Sequence, residues 1–174
     1  MMEQVLPKNF PHIAKQSRQQ MKDVELVSQL LLLIEEGVKA YSQYELDEAF
    51  SIRDASWEAK VEVEETFRVV IDFIKRLTEL EEPSVAKTRL KNQADFYSLF
   101  GSISQIHKDG KLAEVDPETA ARRLCQFTSV VDDDRARSDN RQAAEYYEAV
   151  RSASNDVKPR NTRIAILKDI ILGE

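Results

Sequence analysis

Apolar residues recur along this chain three and four positions apart, the spacing of one face of an α-helix. Val63, Phe67, Val70, Ile71, Ile74 and Leu77 form the clearest stripe and predict a helix over 56–80. Glu58, Glu62, Glu64 and Glu65 crowd its start, while Lys75 and Arg76 lie near its end, each sign at the pole of the helix dipole that favours it. Pro83 stops it. Upstream, Val24, Leu26, Val27, Leu30, Leu31, Leu33 and Ile34 predict a helix that is apolar around most of its girth and therefore central. Asp23 reads as its N-cap and Gly37 as its C-cap. Between the two, "SQYE" at 42–45 spells a capping box, opening a helix that runs to about Asp54.

The second half continues in the same period. A helix over 85–107 has Ser84 as N-cap, and its core stripe of Phe96, Leu99, Phe100 and Ile103 runs backward into Arg89, Asn92 and Gln93. "DPET" at 116–119 places Asp at an N-cap and Pro117 at the first helical position. Ala120, Ala121, Leu124, Cys125, Thr128 and Val131 form the inner side of that helix. "DDDRARSDNR" reads as a charged loop, followed by a helix over 142–154 and, after the turn "NDVKP", a last helix over 160–172. Strand alternation and internal repeats are absent. The prediction is an all-α fold, a single bundle of about seven helices over 21–174. Residues 1–20, polar and carrying Pro7 and Pro11, read as an extended or flexible arm.

Composition fits amphipathic helices: charged residues make up 32% of the chain and apolar ones 42%. At 174 residues the chain is of single-domain size. One cysteine and two histidines cannot form a Cys/His zinc site or an internal disulfide. The longest apolar run, Leu30 to Ile34, is far below a membrane span, so the expectation is a cytoplasmic protein with no membrane partner. The net charge of −6 is uneven: residues 35–82 hold 14 acids and 6 bases, and each flank is close to +1. The acidic middle argues against wrapping nucleic acid with the whole surface but leaves room for a local basic patch.

Glycine-rich and Walker phosphate loops are missing, as are zinc-protease and calcium-loop spacings. His107 reads as a helix C-terminal cap, His12 lies in the arm, and Cys125 reads as packing. Glu58, Glu62 and Glu65 share a helical face, and with Glu45/Glu48 or Glu35/Glu36 on a second helix they could hold Mg²⁺ in a stand-alone nucleotide hydrolase. Two clusters of basic and amide groups stand out more. One is Arg89, Lys91, Asn92 and Gln93; the other lies in "RSASNDVKPRNTR", with Arg151, Asn155, Arg160 and Arg163. Arginine forks bind phosphate or carboxylate bidentately. These residues either cap helices and tie loops or form a polar interface to another domain or to nucleic acid.

The order and spacing of "QQMKDVELVSQLLLL", "LKNQADFYSLFGSI" and "YYEAVRSASNDVKPRNTRIAILKDII" resemble the helical region of the prokaryotic family called domain of unknown function 262, which includes GmrSD-type modification-dependent restriction enzymes. The resemblance spans about Ser17 to Leu172. In that family a ParB-like domain carries an Asp-Gly-Gln-Gln-Arg segment tied to nucleotide hydrolysis and DNA processing. Only Gln19-Gln20 comes near that wording here, with no Asp-Gly before it, so no catalytic residue carries over. The resemblance implies a non-catalytic interaction module of an anti-phage restriction system, with no cofactor of its own. Its expected partner is a ParB-like domain or subunit, and through it DNA; a homo-oligomer is compatible. The expected contact residues are Arg89, Asn92, Gln93, Arg151, Asn155, Arg160 and Arg163.

Overall fold

In the computed structural model, residues 5–151 and 154–174 are described. The first four residues of the predicted arm, and Ser152 and Ala153 of the predicted helix 142–154, lie outside them. The described residues form nine α-helices and no strand, an all-α fold. Two of the nine are five-residue turns, α1 (Lys15–Gln19) and α7 (Asp134–Ser138). The seven longer ones are α2 (Lys22–Glu36), α3 (Gln43–Ala55), α4 (Lys60–Glu79), α5 (Gln93–Lys108), α6 (Pro117–Asp132), α8 (Arg141–Arg151) and α9 (Val157–Leu172). Among the described residues no helix is long and apolar enough to cross a membrane.

α5 is the axis of the bundle. Every residue from Asp95 to Ile103 is buried, because α2, α4 and α9 pack around it. α6 closes the other side against α4, α8 and α9. The most extensive helix–helix contact is between α5 and α9, and the sequence of α5 permits it by placing small residues at Ser98, Gly101 and Ser102. A Cβ on Gly101 would stand 2.6 Å from Ile164 Cδ1, inside van der Waals contact. Ser102 donates to the Ile164 carbonyl at 2.9 Å, so a side chain of one helix bonds the backbone of the other.

Several boundaries match local chemistry. Ser42 and Glu45 form both halves of the capping box, and Asp116 accepts from the Thr119 amide at 2.8 Å with Pro117 at the helix start. Others correct the expectation. The predicted 85–107 helix is two 3₁₀ turns, Val85–Lys87 and Arg89–Lys91, followed by α5. Thr88 causes the break: it is extended, and its hydroxyl accepts from the Leu90 amide at 3.2 Å, which starts a new turn. Asp23 does not cap α2: Met21 occupies the N-cap position, in the left-handed region at φ 58° and with no side-chain cap bond, and Asp23 sits within the first turn. The charged loop after α6 contains α7. α9 begins three residues early, since Pro159 falls in its first turn, where a missing N–H leaves no intrahelical bond unmade. Within 1–20, Phe10 and Ile13 are buried in the core: Phe10 meets Phe96 edge-on at 5.5 Å, and the His12 amide donates to the Lys91 carbonyl at 2.7 Å.

Candidate functional site

The 3₁₀ break turns Arg89 off the face that α5 presents. Its guanidinium reaches Asp95 Oδ2 at 3.4 Å and Asp132 Oδ1 at 2.8 Å, and lies over the Tyr146 ring at 5.7 Å. Asp95 is fully buried and also accepts from the Tyr146 hydroxyl at 2.7 Å. Burial, then the charge of Asp95 and the bond to it, pushes the Tyr146 phenol well above its ordinary pKa, so it stays a donor. Arg89, Asp95 and Tyr146 thus tie the start of α5 to α6 and α8.

Arg163 lies one turn along the seam from this tie and has no exposed surface. Its three nitrogens donate to Ser98 Oγ at 2.9 Å, the Ala149 carbonyl at 2.5 Å and the Ser154 carbonyl at 2.8 Å. It therefore joins α5, the end of α8 and the turn into α9. Burial lowers its pKa, while the nearby Tyr146 and Asp95 oppose the shift. Arg160, one turn earlier on α9, is also buried. It donates to the Lys39 carbonyl at 2.6 Å and to Gln29 Oε1 at 2.9 Å, and it stacks over the Tyr97 ring at 4.2 Å. Burial raises the Tyr97 phenol pKa, against the opposing charge of Arg160.

The two arginines form the floor of a small cavity between α2, α5 and α9, of about 90 Å³. Gln93, Tyr97 and Asn155 also line it, with Lys22, Glu25 and Gln29 from α2. Four of the seven residues expected from the sequence, Gln93, Asn155, Arg160 and Arg163, thus come together. The other three do not line the cavity. Asn92 is exposed at the start of α5 and makes no side-chain cap bond. Arg151 is exposed on α8, 3.7 Å from Glu148 and over the Tyr147 ring. Arg89 belongs to the buried tie.

The carboxylates of the magnesium reading are scattered over other tasks. Glu45 closes the capping box. Glu35 and Glu36 both face Arg53, and Glu35 also accepts from the Trp57 indole at 3.1 Å. Glu58 lies in the turn before α4 rather than on it, and Glu62 and Glu65 are exposed. Among the described residues no three His, Cys, Asp or Glu side chains are grouped to hold a metal ion. Cys125 is half-buried and burial pushes its thiol pKa up. His12 is exposed and His107 lies in the last turn of α5.

The residues that organise this region and that pattern reasoning passed over are Asp95, Ser98, Tyr97, Tyr146 and Gln29. One cue was available: Ser98, Gly101 and Ser102 interrupt an otherwise bulky stripe at helical spacing, which marks a close helix contact. The bond partners themselves are 51 and 65 residues apart in the chain and carry no local cue. Comparison with protein-family models, with curated proteins and with solved structures found no match to this chain.

Proposed function

We propose that this chain is a helical interaction module, the C-terminal half of a DNA-processing, restriction-type system whose nucleotide-hydrolysing part is a ParB-like domain or subunit on another chain. The convergence of Gln93, Asn155, Arg160 and Arg163 on one polar mouth is the observation that supports this reading most. The buried arginines fix the shape of the mouth. Its exposed neighbours, Asn92, Arg151 and Asn155, are free of core duties and stand where a partner can reach them. Contact to DNA would run through the partner, since the bundle as a whole is acidic.

The test is co-expression with the product of a neighbouring reading frame that carries the Asp-Gly-Gln-Gln-Arg segment. The two chains should co-elute on size exclusion. Arg151→Ala with Asn155→Ala should weaken the complex at least about tenfold while leaving the helical circular-dichroism spectrum intact, as expected when truncation removes central polar contacts. Absence of a complex, or one indifferent to both substitutions, overturns the proposal. So does turnover of nucleoside triphosphates by the isolated chain that is lost on Glu62→Gln.

A further inference from the structure

Buried charges in proteins are ordinarily paired with an opposite charge. Arg160 and Arg163 depart from that rule. Arg160 is 5% exposed and Arg163 is 0% exposed, yet the oxygens that accept from them are neutral: Lys39 O, Gln29 Oε1 and the Tyr97 hydroxyl for Arg160, and Ser98 Oγ, Ala149 O and Ser154 O for Arg163. The carboxylates nearby are engaged elsewhere. Asp95 is held by Arg89 and Tyr146, and Glu25, on the cavity wall, pairs with Lys22 at 2.5 Å. Among the described residues no carboxylate lies within ion-pair distance of either guanidinium: Asp95 acts on Arg163 only through its field, and neither arginine has a direct ionic partner. Each guanidinium has five N–H donors. The neutral partners take three from each, which leaves donors on the Arg160 fork beside the cavity.

We propose that the cavity between α2, α5 and α9 is a binding site for one tetrahedral oxyanion, either free phosphate or sulfate or the terminal group of a phosphomonoester. The size fits: one water needs roughly 10–15 Å³ of such space, so about 90 Å³ holds several waters or one oxyanion in their place. The rest of an ester would leave past Lys22, Gln93 and Asn155, the solvent-side residues of the wall. The Arg160 fork, with the Gln93 and Asn155 amides, offers donors to several oxygens at once, and Arg163, which has no accessible surface, stands behind it as a second positive charge. The bound anion neutralises the floor that the fold leaves charged. This proposal does not rest on the partner reading, because a free anion fills the site whether or not a second chain docks.

Thermal melting of the full chain in sodium phosphate, sulfate, acetate and chloride at matched ionic strength tests it. Phosphate and sulfate should raise the midpoint saturably, by about 3–6 °C at roughly ten times Kd, and acetate and chloride should not. Arg160→Gln should weaken phosphate binding at least tenfold. Should that variant not fold, Gln93→Ala with Asn155→Ala at the mouth should weaken it severalfold, read by ³¹P line broadening of inorganic phosphate. O-phosphoserine should compete in the same spectrum; failure to compete restricts the site to the free ion and overturns the ester form. A shift that rises linearly without saturating, matches acetate, or persists unchanged in the mouth variant overturns the site altogether.

Discussion

Arg163 and Arg53 each donate to three partners, but in two very different ways. Arg163 sits in the α5–α9 seam, cut off from water, and donates only to neutral oxygens. Arg53 lies on α3, near the surface, and donates to Glu35 at 2.8 Å, to Glu36, and to the Ala49 carbonyl at 2.8 Å. The first region is specified by geometry: a fork must meet two carbonyls and a hydroxyl supplied by three segments. The second is specified by charge, and α3 buries only Leu46 while Tyr44 and Ile52 stay exposed. The seam should therefore fail when an atom is removed or added, and the α3 lobe when a proton is.

The largest effect falls on Arg163. Arg163→Met keeps much of the volume but leaves the Ala149 and Ser154 carbonyls and Ser98 Oγ without their donor. The expected loss is about 3–5 kcal/mol, a large share of the roughly 5–15 kcal/mol that holds a domain folded. The urea midpoint should drop with an unchanged slope. A loss below about 1 kcal/mol would mean that water reaches these carbonyls, and the contrast with Arg53 would collapse.

Next comes the helix contact itself. Gly101→Ala places a methyl 2.6 Å from Ile164 Cδ1 and 3.3 Å from Leu33 Cδ2. Overpacking of this kind costs about 1–3 kcal/mol. Ile164→Val removes the offending Cδ1, so the double variant should recover part of the loss, and a double-mutant cycle should show a favourable coupling of at least about 0.5 kcal/mol. Simple additivity would mean that α9 moves away freely and that the seam is not geometrically fixed.

These two regions were unequally legible from sequence. The α3 lobe announced itself, because a capping box is local: Ser42 and Glu45 are three residues apart. So did the stripe of α4, whose Val63, Phe67, Val70, Ile71, Ile74 and Leu77 are all buried. For the seam, the unusual residues could be seen but not their direction. An arginine beside a core stripe can turn outward or inward, and what decides is a distant acceptor: Ser98 for Arg163, Lys39 for Arg160. The 3₁₀ break before α5 was hidden for a related reason. Val85 and Leu90 are buried like helix-stripe residues, so apolar spacing alone reads straight through Thr88.

The lobe's dependence on protons sharpens the comparison from the other side. Burial alone would raise the pKa of Glu36, but hydrogen bonds from Lys39, Tyr41 and Arg53 outweigh it and hold the carboxyl at about 2, below the ordinary 4.5. A depressed carboxyl stabilises the fold above its unfolded pKa, and that stability is lost as pH falls through the folded one. The window is therefore pH 4.5 down to about 2. Glu36 is 24% exposed, and solvent screening reduces the full effect of the shift to about 1–2 kcal/mol. Wild type should exceed Glu36→Gln by that amount at neutral pH. The gap should close between pH 4.5 and 2, where the protonated acid and the amide become equivalent acceptors. Hydrogen exchange should speed up in α3 while the amides of α5 stay protected, because the seam meets this network only at the Lys39 carbonyl that Arg160 bonds and not at the Glu36 carboxyl. A gap that is flat with pH would show that Glu36 acts by shape, and one that also loosens α5 would show that the two regions are a single cooperative unit.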